Sequence, residues 1–238
     1  DDAVYRVFKD KEGGIWVGTY FGGLNYYHEK ALGLEYYYPS GVSNSLSGNA
    51  VSAFLETRNG NFWIGTEDGG LNLFNKTDKT FQKYPFSKNQ DSLSYHNIHA
   101  LYEDKAGHIW IGMYTGGLNI LNPKTGKIKR YKSKPSNPKT LSDNSIYAID
   151  EDREGRIWVS TISGLNLYNP ESDSFIRIQE KYLAKSCIYQ VYQDKDLVLW
   201  IATYDNGLIK IDKKGKLKQY AYAPKEGAIS SNKVISIL

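Results

Sequence analysis

The sequence predicts an all-β fold made of five copies of one four-stranded antiparallel unit, and three observations carry that prediction. The five Trp residues recur at spacings of 47, 47, 48 and 42 residues, each inside a short apolar run such as "GIWVGT". Strand-like segments separated by turn residues surround each Trp, and none keeps the period of about 3.6 residues that marks an amphipathic helix. The composition agrees, because 20 Tyr and 22 Gly with a single Met favour strands and turns.

The four segments of each unit follow a fixed order. The first is an alternating run such as "AVSAFLE", the second carries the Trp, the third begins with "GLN" in four units, and the fourth is a short run such as "TFQKY". An Asp-x-x-Gly turn, as at Asp10–Gly13, joins the first two segments. Thr57 replaces this Asp in the second unit and Leu197 replaces the Gly in the fifth, so we expect looser turns there. The Gly pair before the third segment permits positive φ.

Four antiparallel strands with one Trp every 40 to 50 residues, roughly, describe the blades of a β-propeller. We therefore expect residues 1–238 to form one β-propeller domain of five blades of about 47 residues, with one extra inner strand over 233–238. Large flat side chains suit the space between blades, so these Trp residues are predicted to be structural: Trp16, Trp63, Trp110, Trp158 and Trp200. The small residues that follow them should leave room for the neighbouring blade: Gly18, Gly65, Gly112, Ser160 and Ala202.

Polar crossings precede the first strands of most units. "NSLSGNAV" (44–51), "DSLSYHNI" (91–98), "KTLSDNSI" (139–146) and "GAISSNKV" (227–234) share this position, whereas the fourth-to-fifth crossing "EKYLAKSCI" lacks the pattern. Ser and Asn side chains can hold such loops through local hydrogen bonds. The absence of this pattern from the fourth-to-fifth crossing accounts for the shorter Trp spacing of 42 residues.

The combination "IWIGTxxGGLNxxNPxTxxFxxY" followed by "SLSxNxI" resembles the two-component regulator propeller repeat over all five units. The resemblance implies a non-catalytic ligand-sensing or scaffold domain in the periplasmic part of a bacterial hybrid two-component sensor kinase, responding to an oligosaccharide. The resemblance implies no cofactor and no metal. It also implies that membrane attachment and kinase activity come only from parts outside this chain. Propellers of the family have more blades than five, so we expect a fragment of a larger propeller, able to self-associate through unpaired strands.

A ligand site is expected where the repeats differ, in the loops between second and third strands and at the crossings. Tyr rings stack on the apolar faces of sugars, and carboxylates and Asn accept hydroxyl hydrogen bonds. The loops supply Tyr20, Glu67, Asp68, Tyr114, Tyr204 and Asp205, and the crossings supply His96, Asn97 and Asn144, together with Asn49 and Asn232. Such a set suits an oligosaccharide or another small polar ligand.

Other readings of the charged and reactive residues are weaker. The net charge of +4 does not indicate nucleic acid, and the single Cys187 excludes an internal disulfide and a Cys-rich zinc site. His96 and His99 are three apart, so in a strand they point to opposite faces and a shared metal is not expected. Turn acids such as Asp152 and Asp194 are interpreted as solvated, and the lysines of 213–218 as a solubility device on an outer edge.

Two alternatives to the sensing domain remain open. A propeller enzyme, a lyase or glycan-active hydrolase, would need His and Glu together at the loop end, and His96 with Glu67 is the candidate pair. A protein-interaction platform is the other alternative, since propeller faces bind peptides.

Overall fold

The fold consists of 20 strands in five four-stranded antiparallel sheets, as predicted from the sequence. The structure is a computed structural model that describes residues 3–30, 33–89 and 91–237. No helix occurs among these residues. The chain divides into two compact units, Asp1–Arg130 and Tyr131–Leu238.

The first unit holds three sheets, each in sequential strand order. The strands are β1 Val4–Lys9, β2 Ile15–Thr19, β3 Leu24–Tyr27, β4 Glu35–Tyr37, β5 Val51–Glu56, β6 Phe62–Thr66, β7 Gly70–Asn75, β8 Thr80–Tyr84, β9 Ile98–Glu103, β10 Ile109–Met113, β11 Gly117–Leu121 and β12 Ile128–Tyr131. Consecutive first strands β1, β5 and β9 pack side by side, as the inner strands of neighbouring blades do.

The second unit holds two sheets of the same order. The strands are β13 Ile146–Glu151, β14 Ile157–Thr161, β15 Gly164–Asn169, β16 Ser174–Arg177, β17 Ile188–Gln193, β18 Leu199–Thr203, β19 Leu208–Ile211 and β20 Leu217–Tyr220. Here β13 packs against β17. Each sheet therefore has the strand order and neighbour contacts of a propeller blade.

The cores lie between successive sheets of one unit. Trp16 packs with Phe62 and Phe74 between the first and second sheets, and Trp63 packs with Ile109 and Leu121 between the second and third. Trp158 takes the same place between the fourth and fifth sheets. Trp16, Trp63, Trp110 and Trp158 are buried and Trp200 is half-buried, so four of the five Trp rings are removed from solvent.

The small residue after the Trp does leave room for the next sheet. A Cβ added at Gly18 would lie 2.7 Å from the carbonyl oxygen of Val51, and one at Gly65 would lie 2.6 Å from Cγ2 of Ile98. Val51 and Ile98 begin β5 and β9. Sheets inside the first unit therefore approach to backbone contact at these positions.

The expectation of a solvated turn acid is wrong for Asp152, which is buried, whereas Asp194 is half-buried and has the same hydrogen bond to its Trp. The carboxylate of Asp152 is buried and accepts hydrogen bonds from the indole Nε1 of Trp158 at 2.8 Å and from the backbone N–H of Arg156 at 2.9 Å. Asp194 accepts from Nε1 of Trp200 at 2.8 Å. Each turn is therefore fastened to the Trp on the strand that follows it.

The two turns with altered sequence are as closed as the others. The N–H of Gly60 donates to the carbonyl of Thr57 at 3.0 Å, and the N–H of Leu197 donates to Asp194 at 3.2 Å, against 3.1 Å at Asp10. Leu197 adopts φ of 62°, so it keeps the turn at the cost of left-handed strain. The expectation of looser turns is wrong, because both turns keep their closing hydrogen bond. Thr57 nevertheless leaves the buried Nε1 of Trp63 without a hydrogen-bond partner.

The crossings are tied to the third strand of the sheet that follows. The side-chain Oδ1 of Asn72 accepts from the N–H of Ser47 at 3.0 Å, and its Nδ2 donates to Ser47 Oγ at 2.8 Å. The same reciprocal pair joins Asn119 with Ser94 and Asn166 with Ser142. The fifth unit, whose crossing lacks the Ser pattern, carries Ile209 at the Asn position.

The extra inner strand predicted over 233–238 is not formed in the described part, residues 233–237. The N–H of Val234 donates to the carbonyl of Thr203 at 2.8 Å, and the N–H of Ile237 donates to the side chain of Gln190 at 2.9 Å. These isolated bonds do not make a ladder, because no described strand pairs along the segment. Leu238 lies outside the described residues.

Candidate functional site

A β-bulge recurs near the start of every first strand and aims one side chain out of the regular alternation. The shift in register falls at the second residue of each strand: Tyr5, Ser52, His99, Tyr147 and Tyr189. A bulge leaves one residue unpaired and bends the strand, and it often redirects a functional side chain. Three of these residues are Tyr and one is His, so the bulge places polar aromatic groups beside the loop end.

Loops and crossings meet at one end of each sheet. The N–H of Tyr114 donates to the carbonyl of Asn97 at 2.9 Å, and the N–H of Glu67 donates to Ala50 at 2.9 Å. In the second unit the N–H of Tyr204 donates to Cys187 at 3.0 Å. The two sources of candidate residues are therefore adjacent within each unit, as the antiparallel order predicted.

Glu67 is the centre of a polar aromatic cluster in the first unit. Its Oε1 accepts a hydrogen bond from the hydroxyl of Tyr5 at 2.6 Å and lies 3.0 Å from Nε2 of His99. The ring of Tyr5 stacks on Tyr20 with centroids 5.8 Å apart, and the ring of His99 stacks on Tyr114 at 5.5 Å. We call Tyr5, Tyr20, Glu67, His99 and Tyr114 the Glu67 cluster.

The cluster favours the ionised form of its carboxylate. The hydrogen bond from His99 lowers the pKa of Glu67 below its usual value, burial opposes this, and the bond from Tyr5 adds to it. Burial raises the pKa of Tyr5, and its bond to the carboxylate raises it further. Glu67 is therefore a charged acceptor at neutral pH, held by a neutral phenol and an imidazole.

The cluster also presents aromatic rings to solvent. Tyr20 is 40% exposed and Tyr114 is 38% exposed, whereas Glu67 and His99 are half-buried beneath them. Large exposed rings beside a fixed carboxylate are what a polar ligand with an apolar face can use.

His96 and Asn97, the two crossing candidates of this unit, have different environments. Nδ1 of His96 lies 2.7 Å from the backbone carbonyl of Glu67, and its ring stacks on Tyr95 with centroids 4.3 Å apart. The side-chain Oδ1 of Asn97 is buried without a hydrogen-bond partner. It is therefore His99, at the bulge, that meets the Glu67 carboxylate, while His96 meets the backbone carbonyl of the same residue.

Asp68 has a structural partner in the crossing. Its carboxylate accepts from the N–H groups of Asn49 at 2.9 Å and Ala50 at 3.1 Å. These bonds hold the crossing against the loop, so Asp68 positions the neighbourhood of Glu67.

The second unit places its three candidates separately. Tyr204 is 47% exposed, with its ring 6.1 Å from that of Tyr189. The carboxylate of Asp205 accepts from the hydroxyl of Ser186, and Oδ1 of Asn144 accepts from the N–H of Ser133 at 2.8 Å. The Tyr204 ring is exposed but has Nζ of Lys233 4.8 Å from its centroid, while Asp205 and Asn144 brace loops.

Sequence reasoning missed Tyr5 and His99, although a signal for them was present. When the five first strands are aligned, the second position holds Tyr, Ser, His, Tyr and Tyr among apolar neighbours. A recurring polar or aromatic residue inside an otherwise apolar strand is the mark of a bulge or a functional position.

The described residues contain no group of three or more His, Cys, Asp or Glu that could hold a metal ion. Over the same part of the chain, no helix has the length and apolar character needed to cross a membrane. Burial raises the pKa of the Cys187 thiol to about 11, with Asp205 adding to the effect, so the thiol stays protonated at neutral pH.

The repeated four-stranded sheets, the Trp-filled interfaces and the packed first strands define the protein as a β-propeller type. Four segments match the family model of the two component regulator propeller, at residues 1–21, 45–68, 92–115 and 140–163. Four of the five units therefore carry two-component regulator propeller repeats, which confirms the resemblance found in the sequence for these units.

Solved structures share this fold. The extracellular domain assigned to the hybrid two component system BT3049 from B. thetaiotaomicron superposes with a TM-score of 0.84 at 24% identity, covering 99% of this chain and 30% of that one. PorZ, a surface component of the type-IX secretion system of Porphyromonas gingivalis, gives 0.72 at 17% identity, covering 97% and 35%. Virginiamycin B lyase from Staphylococcus aureus gives 0.70 at 14% identity, covering 93% and 71%.

The chain thus spans about 30% of the length of the extracellular domain that it matches. A search among curated proteins found no match.

Proposed function

We propose that this chain is part of the extracytoplasmic sensing region of a bacterial two-component system, and that it binds an oligosaccharide at the Glu67 cluster. The observation that carries the proposal is the fixed, charged carboxylate of Glu67 flanked by the exposed rings of Tyr20 and Tyr114. The regulator propeller repeats and the likeness to an extracellular two-component domain support the sensing role.

The chemistry of the cluster suits a neutral polyhydroxylated ligand. A carboxylate accepts hydrogen bonds from sugar hydroxyls strongly because it is charged, and it disfavours an anionic ligand. Tyr20 and Tyr114 present flat faces to the apolar side of a pyranose ring. The site is preformed, because Tyr5 and His99 hold the Glu67 carboxylate in place before a ligand binds.

The location follows from the same proposal. The sensing region lies in the periplasm and reaches the membrane, and its kinase, only through parts outside this chain. No catalysis by the chain is needed for this role.

The test is calorimetric titration of a panel of plant and host oligosaccharides, first with the wild type and then with variants. Tyr114→Ala should weaken binding by roughly three- to ten-fold, as expected for the loss of about 0.5–1.5 kcal/mol of stacking. Glu67→Gln should weaken it by at least about ten-fold, since a hydrogen bond to a charged group contributes about 1.5–3 kcal/mol.

Lys124→Ala, on an exposed turn of the first unit, is the matched control. Tyr204→Ala asks whether the second unit contributes. If both Tyr variants bind like the wild type while Lys124→Ala loses affinity, the ligand lies at the opposite end of the sheets.

One observation favours an enzyme as the second candidate. His99 and Glu67 form a potential acid–base pair 3.0 Å apart at the loop end, and the fold is shared with a lyase. Turnover of any panel member by the purified chain, abolished in His99→Gln, would replace the sensing proposal with a catalytic one.

A further inference from the structure

A pocket of about 440 Å³ opens between the fourth and fifth sheets, inside the second unit. Its apolar floor includes Trp158, Ile178, Leu199, Ile211 and Leu217. It lies at the end that carries the Asp-x-x-Gly turns, since Glu154 and Gly215 from those turns line its mouth. Within these sheets it is therefore at the opposite end from Tyr204. Its volume falls in the range of about 300–1,000 Å³ typical of small-molecule sites.

The pocket exists because one position differs from the other units. The fourth strands carry Tyr37, Tyr84, Tyr131 and Tyr220 where the fourth unit has Ile178. Tyr37 lies 6.4 Å from Trp16, Tyr84 lies 5.2 Å from Trp63 and Tyr220 lies 5.9 Å from Trp200, measured between ring centroids.

Trp158 lacks this cover. No aromatic ring of the described residues packs on it, and the guanidinium of Arg156 lies 5.6 Å from its ring instead. The shorter Ile178 thus leaves Trp158, which is 6% exposed, as part of the pocket lining at a recurring structural position of the repeat. The absent Tyr ring indicates the shape of what fits: a flat or branched apolar group.

A second difference concerns the lysine at the pocket mouth. In the interface between the first and second sheets, Lys76 bonds the carboxylates of Asp10 at 3.0 Å and Glu56 at 2.8 Å. Lys213 occupies the corresponding position after the third strand of the fifth unit. In the fifth unit Gln193 replaces Glu56. In the fourth unit Asp152 corresponds to Asp10, and its carboxylate already pairs with Nε of Arg156 at 2.6 Å. Lys213 is exposed, and no ion pair is found for it within the described residues.

Lys213 is the one cation of the lining without an acidic partner among the described residues. Arg156 contacts Glu154 at 2.5 Å as well as Asp152, and the carboxylate of Asp212 accepts from the backbone N–H groups of Lys214 and Lys216, both at 2.9 Å. Glu180 is the remaining acid of the lining. The hairpin that lines the mouth carries four lysines, Lys213, Lys214, Lys216 and Lys218. The basic hairpin that the sequence analysis interpreted as a solubility device therefore borders an apolar pocket.

We propose that this pocket is a second ligand site, for an amphipathic carboxylate whose apolar body lies on Trp158 in the space of the missing Tyr ring and whose anionic group pairs with Lys213. The ligand class is an aryl-substituted or short-chain carboxylic acid. The site is separate from the Glu67 cluster and does not depend on the sensing role.

The experiment compares phenylbutyrate with phenylbutylamine, which carries the same apolar body and the opposite charge, by ligand-observed NMR titration of the whole chain. The wild type should bind phenylbutyrate at least about ten-fold more tightly than the amine, a difference of about 1.4 kcal/mol. Ile178→Tyr, which restores the residue of the other units, should fill the pocket and weaken phenylbutyrate by at least about ten-fold. Lys213→Met should remove the preference for the anion and leave a weak, charge-independent affinity.

Thermal unfolding of each variant establishes that it is folded, and Leu199→Phe fills the same space if Ile178→Tyr does not fold. Lys124→Ala is the control and should bind as the wild type does. The proposal is overturned if the wild type does not bind phenylbutyrate, if it binds both probes equally, or if binding survives the filling substitution.

Discussion

The indole Nε1 of Trp158 donates a hydrogen bond to the carboxylate of Asp152 at 2.8 Å, with both side chains buried. The pairs Asp10–Trp16 and Asp104–Trp110 have the same geometry at 2.9 Å. The carboxylate also accepts from backbone N–H groups of its own turn, as Asp152 does from Glu154 and Arg156. One side chain therefore closes a hairpin turn and fixes the large residue between sheets.

Removing this carboxylate should destabilise the fold. Asp152→Ala leaves a buried indole N–H without a partner, and we expect a loss of about 1–3 kcal/mol in the free energy of unfolding, measured in urea. Asp212→Ala is the control, because Asp212 closes an exposed turn through backbone N–H groups. Equal losses in the two variants would show that the indole bond contributes nothing.

Supplying the carboxylate where it is absent should stabilise the fold. Thr57 stands at the Asp position of the second unit, and Nε1 of Trp63 is buried without a partner. Thr57→Asp should raise the free energy of unfolding by about 1 kcal/mol, the usual net contribution of a hydrogen bond. Thr57→Ser is the matched control and should not raise it. A less stable Thr57→Asp variant would mean that desolvation of the new carboxylate outweighs the bond.

The same carboxylates make stability depend on acid pH. Burial acts to raise the pKa of Asp10, Asp104 and Asp152, but the hydrogen bonds from their Trp partners and from nearby N–H groups outweigh it and lower the pKa below its usual value. A lowered folded-state pKa contributes stability that is complete above the unfolded value, about 3.9 for Asp, and is lost as pH falls through the folded value.

The free energy of unfolding should therefore decline as the pH is lowered below about 4. Asp152→Asn should make this decline shallower, because it removes one of the titrating groups. Urea titrations at a series of pH values measure both slopes. An unchanged slope in Asp152→Asn would contradict the assignment.

Adding one methyl group between sheets should also lower the free energy of unfolding. In Gly65→Ala the new Cβ would lie 2.6 Å from Cγ2 of Ile98, so the sheets must separate. We expect a loss of about 1–3 kcal/mol, typical of overpacking. The double variant with Ile98→Ala, which removes Cγ2, should lose less than the sum of the two single losses, and full additivity would argue against a direct contact.

The repeat made the sheets predictable, because strand period, Trp spacing and Gly positions are local signals that recur. The bond between Asp and Trp was not predictable from those signals. Asp152 and Trp158 lie on opposite sides of a turn, so no strand or helix period relates them, and Asp152 was interpreted as a solvated turn residue. Only the folded hairpin brings the carboxylate beneath the indole.

The candidate site was predictable in part for a related reason. Comparison of the loops pointed to Glu67 and Tyr114, which the structure places with the Tyr5 and His99 side chains. His99 was interpreted only as a possible metal partner of His96, which strict alternation excluded because it turns residues three apart to opposite faces. The bulge at His99 breaks that alternation, and the sequence alone does not show where a bulge falls.

The reciprocal bonds between Ser142 and Asn166 have a consequence for engineering with this repeat. The crossing before a sheet is held by that sheet's own third strand, so the exchangeable module begins at the Ser-Leu-Ser crossing and not at the first strand. A chimera joined between a crossing and the first strand that follows it would combine the third-strand Asn of one repeat with the crossing loop of another. In the fifth unit, where Ile209 replaces the Asn, the crossing has a different sequence as well. A graft at that unit should therefore bring its crossing with it.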